Sequence, residues 1–324
     1  MHDVLNLPVA ESLFDRDYLM RGNAELFDIL WQNPLTRVLV LHEGKTLLHS
    51  ASDADPGIAG PGAELRLLTI DEVSSAQLRV YLGKTLVASA TEPQQTPVVL
   101  AVVSANAAKQ IEPDENRWHQ LKRSGNGLSA RDTELHSAAL ALANWHASHI
   151  FCPKCGAPTS VTQGGWVRTC FNDNNEVFPR TDPAIIVSVI DDQDRILLGS
   201  QGAWGANRWS VLAGFVEPGE SLNHAVIREV FEEAGVRIKN PQYLGSQAWP
   251  YPHSLMVGFT AQVDPDHAHL EATPDGEEIV RLRWFSRADF HAEADSIMLP
   301  GKASISRALI EHWFGGPLPT REAW

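Results

Sequence analysis

Three glutamates, Glu229, Glu232 and Glu233, are the side chains best placed to do chemistry in this sequence. They lie within Gly214-Phe-Val-Glu-Pro-Gly-Glu220-Ser-Leu-Asn-His-Ala-Val-Ile-Arg228-Glu229-Val-Phe-Glu232-Glu233-Ala-Gly235-Val236. Ser221 is a good helix N-cap and Gly235 a good terminator, so the spacing predicts a helix between them. At ~100° per residue the three carboxylates fall within an arc of about 100° on one face. Leu222, Val226, Val230 and Ala234 fall on the adjoining face and are expected to be buried. Like charges at this spacing oppose one another by roughly 0.2–0.5 kcal/mol per exposed pair, so the helix gains no stability from them. A hard divalent cation does use such an array, because it takes oxygen ligands and bridges carboxylates to substrate phosphates. Arg228, four residues before Glu232, is placed to orient a carboxylate. A solvated acidic face would explain an isolated E-x-x-E-E. It does not explain Gly214, Glu220, Arg228 and Gly235 at their offsets.

Two further stretches carry chemistry. Ser246-Gln247-Ala248-Trp249-Pro250-Tyr251-Pro252-His253-Ser254 combines rigid prolines with two aromatic rings that offer flat faces to a base. Gln247, Ser254 and backbone amides there are candidates for ribose or phosphate. The second is Cys152-Pro-Lys-Cys155, followed by Cys170. Three cysteines, two of them in a C-x-x-C pair, suit a reducing compartment better than a disulfide framework, and the cytoplasm is the expected location.

The elements that must position these residues divide the chain into 1–127, a β-rich region, 128–179, a linking helix and Cys-bearing insert, and 180–324, an α/β unit. In the first, Arg37–Leu41, the turn at Glu43-Gly44-Lys45 and Thr46–Leu48 read as a hairpin, with further strands at Leu78–Leu82 and Val98–Val103. Asp53–Glu64, with Gly57, Gly60, Pro61 and Gly62, reads as a surface loop. Leu135, Ala138, Ala139, Leu142, Ala143 and His146 recur at helical spacing and predict a helix over Leu128–His149, started by Ser129 or Asp132. In the third region Ala184–Ile190 and Arg195–Leu198 read as strands about an Asp191–Asp194 turn. The formal net charge of −14 argues against broad capture of nucleic acid. No apolar run reaches membrane-spanning length, and neither Met1–Val4 nor Arg321–Trp324 reads as a targeting signal, so no membrane partner is expected.

The segment Gly214–Val236 resembles a complete Nudix box. That resemblance implies an α/β fold of α+β character: a C-terminal Nudix α/β/α sandwich, preceded by a β-rich Nudix-like domain and a small zinc-ribbon-like insert. It also implies Mg²⁺ or Mn²⁺ in the box and attack of a metal-activated water on the diphosphate of a nucleoside diphosphate derivative. Ser246–Ser254 is similar to the S-Q-P-W-P-F-P-x-S motif of the NADH pyrophosphatase subfamily, with Ala248 for proline and Tyr251 for phenylalanine. Ala143-Asn-Trp-His-Ala-Ser-His-Ile-Phe-Cys152-Pro-Lys-Cys155-Gly156 resembles the start of that subfamily's zinc ribbon. Asp173 stands where its fourth cysteine would be, so either Cys152, Cys155, Cys170 and Asp173 hold zinc or the ribbon folds without metal.

Carried over singly, the resemblance makes the Ala213 carbonyl, Glu229, Glu233 and Glu278 metal ligands, with Glu220 and Arg228 as box residues and Glu232 as the candidate general base. Phe178, where the family has tyrosine, Gln247 through Ser254, and Ser306 would contact substrate. Gly165 stands where the family has a substrate-binding glutamate. The implied reaction is hydrolysis of NADH or NAD⁺ to nicotinamide mononucleotide and AMP, with removal of NAD caps from RNA 5′ ends as the same cleavage, by a homodimer. The alternatives are a Nudix hydrolase of ADP-ribose or dinucleoside polyphosphates, which the Ser246–Ser254 loop weighs against, and a non-catalytic nucleotide sensor. The sensor should show a damaged box and a basic helix-turn-helix; a zinc-ribbon nucleic-acid adaptor should show a full ligand set and basic surface.

Overall fold

Ser129 accepts the backbone N–H of Asp132 and starts helix α1 (Ala130–Ser148), which buries Leu135, Ala139, Leu142 and Trp145. The computed structural model describes residues 5, 7, 12–49, 62–124, 127–205, 207–267, 271–319 and 321–322. Met1–Val4 and most of the Asp53–Glu64 segment lie outside them. Two compact units form: Glu11–Thr181 with Trp249–His253, and Met1–Ala10 with Asp182–Ala248 and Ser254–Trp324. The α1 helix and the Cys-bearing segment thus belong to the same unit as the N-terminal strands.

In this N-terminal unit β1 (Phe14–Asp15), β2 (Arg37–Leu41), β4 (Leu78–Thr85) and β5 (Pro97–Val102) form a sheet in the order β1-β4-β5-β2. The expected hairpin is only half made. His42 and Lys45 exchange two backbone hydrogen bonds of 2.9 Å around Glu43 and Gly44, both at positive φ. Beyond that turn β2 runs parallel to β5, whereas β3 (Lys45–His49) pairs with Glu64–Leu65 and Trp118–Gln120. The reason is that Val38 through Leu41 are buried on both faces, so no alternation of polar and apolar residues holds β2 to β3.

Several of the polar residues inside α1 have partners, whereas the ring nitrogens of fully buried His136 have none. Arg131 bonds buried Asp132 at 2.7 Å, and Asp132 accepts the Leu65 N–H at 2.9 Å. Burial without such bonds would be costly. His146 ties the helix to the Cys-bearing segment: its Nε2 meets the Gly165 carbonyl at 2.8 Å and its Nδ1 meets Nη1 of Arg168 at 3.0 Å. That segment is a three-stranded sheet of β6 (Thr159–Thr162), β7 (Val167–Cys170) and β8 (Glu176–Val177), in the order β8-β7-β6.

The C-terminal unit is a sandwich. Its sheet runs β12 (Ile238–Trp249), β13 (Ser254–Val263), β9 (Asp182–Ile190), β10 (Ile196–Gln201), β14 (Ile279–Phe285), with β11 (Leu212–Phe215) also paired to β9. Successive side chains of β9 point to opposite faces. Ile185, Val187 and Val189 pack with Ala225, Val226 and Val230 of helix α2 (Leu222–Ala234). Ile186 packs on the other side with Ile305, Leu309 and Ile310 of helix α3 (Ile305–Phe314). Val226, Val230 and Ala234 are buried as expected, but Leu222 is 38% exposed because it opens the first turn, where the helix has not yet met the sheet. No helix among the described residues is long and apolar enough to cross a membrane.

Candidate active site

The box is built where β11 runs into the loop before α2. Ser221 accepts the His224 N–H to start the helix, and Gly235, at φ +65°, ends it in the left-handed conformation that glycine tolerates. β11 pairs with β9, Gly214 opposite Ile185 and Ala213 opposite Ile186, which fixes its height beside α2. The Glu229 carboxylate packs directly on Gly214: a Cβ there would stand 2.0 Å from Glu229 Cδ. Glycine is required because the carboxylate occupies the volume a side chain would fill.

Glu233 is only 4% exposed, and its Oε2 has no hydrogen-bond partner. Burial, reinforced by the charges of Glu278, Glu229 and Asp275 and opposed by the Ala213 backbone N–H, pushes its pKa up to about 8. Burial likewise raises Glu229, where the repulsion of Glu232 and Glu278 adds to it and Arg228 opposes it. A buried acceptor left unpaired among like charges is costly for a fold alone. These all-oxygen donors fit a hard divalent cation, which would neutralise them. Glu278 is placed by Gln201, whose Nε2 donates to Oε1 at 3.2 Å.

Arg228 organises the outer side. It donates to Glu220 at 2.9 and 3.0 Å, to Glu232 at 2.8 Å and to the Phe215 carbonyl at 2.9 Å, and it pairs with Glu229 at 2.9 Å. Glu220 is held below the usual carboxylate range, chiefly by Arg228. Glu232 remains the most open of the three helical glutamates, its side chain 56% exposed.

The remaining sequence candidates distribute unevenly. In the C-terminal unit Gln247 is buried and spends both ends of its amide on backbone: Nε2 donates to Ala303 at 2.6 Å and Oε1 accepts Ile305 N–H at 2.8 Å. Ala248 is exposed, Ser254 is buried, and buried Ser306 shares a 2.7 Å hydroxyl contact with Ser210. In the N-terminal unit Trp249 and Tyr251 pack edge to face at 5.1 Å between ring centroids, with Pro250 buried, Pro252 exposed and His253 half-buried. The Tyr251 hydroxyl is buried without a partner. Phe178 is 59% exposed, its ring open to a ligand. Gly165 sits at φ +96° with Val80 only 2.7 Å from where a Cβ would be, which explains why a glutamate has no room there.

The four ligand atoms of Cys152, Cys155, Cys170 and Asp173 lie within 4.8 Å of one another. The Cys155 and Cys170 sulfurs are 3.5 Å apart as free thiols, near the ~3.8 Å edge of a tetrahedron with metal–sulfur bonds of ~2.3 Å. Backbone N–H groups of Lys154 and Cys155 favour the Cys152 thiolate, and burial raises Cys170 to about 11. A donor set of three sulfurs and one carboxylate suits a tetrahedral metal.

Asp275 was not found from sequence. It accepts the N–H groups of Glu277 and Ile279 at 3.0 and 2.9 Å, beside Gly276 at φ +79°. The Asp275-Gly276 turn was the available signal. Ser210 and Gln201 carry no pattern that sequence would show.

Residues 179–308 match the NUDIX domain family. Residues 147–178 match the NADH pyrophosphatase zinc ribbon domain and residues 35–145 the NADH pyrophosphatase-like rudimentary NUDIX domain. The chain is therefore a Nudix hydrolase, an enzyme of phosphoanhydride hydrolysis. It is 39% identical over 284 residues to the NAD-capped RNA hydrolase NudC of Mycobacterium tuberculosis strain H37Rv, covering 81% of this chain and 90% of that one. It is 42% identical over 185 residues to the NAD-capped RNA hydrolase NudC of Pseudomonas syringae pv. syringae, covering 56% and 63%. It belongs to the NudC family of Nudix hydrolases. Among solved structures, a NUDIX hydrolase from Nitrosomonas europaea aligns at 22% identity over 52% of this chain and 94% of that one, with a TM-score of 0.38.

The buried acid makes a pH prediction. A carboxyl raised from 4.5 to about 8 binds more proton in the folded than in the unfolded state across that window. Stability of the chelator-treated protein should therefore fall as pH rises from about 4.5 to about 8. Glu233→Gln should flatten that fall, raising stability at pH 8 by on the order of 3 kcal/mol and hardly changing it at pH 4.5. Thermal unfolding of both proteins across this range checks it.

Proposed function

We propose that this chain hydrolyses the diphosphate of NADH or NAD⁺ to nicotinamide mononucleotide and AMP. The same bond cleavage would release NAD caps from RNA 5′ ends, with the RNA attached on the adenosine side. The observation that carries the hydrolytic reading is the unpaired Glu233 oxygen among Glu229, Glu278 and Asp275. Its support for substrate class comes from the NADH pyrophosphatase-type domains and from relatives named NAD-capped RNA hydrolases.

Glu229, Glu233, Glu278 and the Ala213 carbonyl would hold Mg²⁺ or Mn²⁺. When bound, the metal supplies charge neutralisation of the diphosphate and a water nucleophile usable near neutral pH. Arg228 fixes the orientations of Glu220, Glu229 and Glu232 from one guanidinium, and Glu232, the freest of the helical carboxylates, takes the proton from the attacking water. Phe178, Trp249 and Tyr251 offer rings to the substrate's bases. Gln247 supports the fold of the loop through Ala303 and Ile305. The Cys₃Asp cluster would hold zinc as a structural ion. We assign the enzyme to the cytoplasm, in keeping with its free thiols, and to a homodimer.

Two measurements test these assignments. With Mg²⁺ or Mn²⁺, kcat/KM for NADH should exceed those for ADP-ribose and a dinucleoside polyphosphate. Phe178→Ala should lower the NADH value roughly ten- to a hundredfold, since stacking one base is worth about 1–3 kcal/mol. Equal losses for NADH and ADP-ribose would remove nicotinamide as the stacked base. Metal analysis of natively purified protein should find close to one zinc per chain, and Asp173→Ala should speed its loss to a chelator. Zinc-free protein with an unchanged melting temperature would show that the ribbon stands without metal.

A further inference from the structure

The loop Trp249–His253 has a peculiar backbone problem. Pro250 and Pro252 bring no N–H, so this stretch cannot join a ladder of strand hydrogen bonds, yet their carbonyls still need donors. Inside the loop the Tyr251 N–H donates to the Trp249 carbonyl at 2.7 Å. The proline carbonyls are served from α1: Asn144 Nδ2 donates to Pro250 O at 3.1 Å and to Pro252 O at 3.2 Å.

On one side the loop is open. A cavity of about 590 Å³ lies against the loop, lined by Gly44, Lys122, Leu140, Asn144, Tyr251 and Pro252 among others. A wall facing a hollow forfeits the dispersion contacts that would otherwise seat it. On this side the Asn144 amide ties down the two carbonyls that flank Tyr251, whose ring sits edge to face with Trp249.

We propose that Asn144 is a positioning residue for substrate selection, holding the Trp249–Tyr251 pair where it meets a base. The inference rests on the reading of this loop as base-binding under the proposed function. Asn144 itself touches no substrate. It acts by giving both amide hydrogens to carbonyls that flank Tyr251, a task that a carboxylate of the same shape cannot perform because it only accepts.

The test compares Asn144→Ala, the isosteric Asn144→Asp and Asn144→Gln with the wild type, at saturating Mn²⁺, on NADH and on ADP-ribose. For Ala and Asp, KM for NADH should rise about tenfold while kcat stays within about threefold, and kcat/KM for ADP-ribose should change less than about threefold. The preference for NADH thus collapses. Asn144→Gln keeps the donors, and the cavity gives its longer side chain room, so it should restore at least half of the preference. Unchanged preference in Ala and Asp, or equal loss of kcat on both substrates, overturns the inference while leaving the NADH reading intact. A wild-type enzyme without preference for NADH overturns that reading, and this inference with it.

Discussion

The structure turns on the burial of one carboxylate among others. Glu233 is nearly inaccessible, one oxygen bound to the Ala213 N–H and the other to nothing, with Glu229, Glu278 and Asp275 raising its pKa. The Ala213 N–H offsets only part of that rise. The fold stabilises the cluster indirectly, by the apolar face of α2 packed on Ile185, Val187 and Val189; under the proposed function a divalent cation would offset the repulsion.

Other features follow from holding that cluster in place. Gly214 has no side chain because Glu229 fills the space where one would be. β11 is short, and its pairing with β9 sets Ala213 and Gly214 beside α2. Arg228 faces outward from the same helix and gathers Glu220, Glu229, Glu232 and the Phe215 carbonyl, so the loop before α2 is stitched to its second turn. The arginine holds Glu220 below the usual carboxylate range and pairs with Glu232 at 2.8 Å. Along α2, Glu229 and Glu232 pair with Arg228, whereas Glu233 is buried with one oxygen unpaired; under the proposed function Glu229 and Glu233 would hold the metal.

How much of this could be read from sequence depended on whether the physics was local. The caps at Ser221 and Gly235, the helix over Ala130–Ser148 and the strand at Ala184–Ile190 depend on neighbours a few residues away, and they were legible. The convergence of Glu229 and Glu233 was legible because one helix carries both. The hairpin at Glu43-Gly44 was misread beyond its turn, since continuous apolar strands give no local sign of which partner they take. Gln247 looked like a ligand group by composition, but its partners, Ala303 and Ile305, lie more than fifty residues away. Asp275 and Gln201 reach the site across similar distances in the chain. Gly165 could be seen as a departure from the family pattern, but the reason, Val80 against its backbone, exists only in the folded unit.

The account stands most directly on Gly214. The three atoms nearest an added methyl there are the Glu229 carboxylate's, at the far end of a side chain, so it is the carboxylate that must move. Electron paramagnetic resonance titration of Mn²⁺ into wild-type protein and Gly214→Ala, with melting temperatures measured alongside, isolates that movement. The account predicts that the variant melts within a few degrees of wild type and binds Mn²⁺ at least about tenfold more weakly, as displaced ligand geometry does elsewhere. Unchanged Mn²⁺ affinity in a folded Gly214→Ala protein would contradict it.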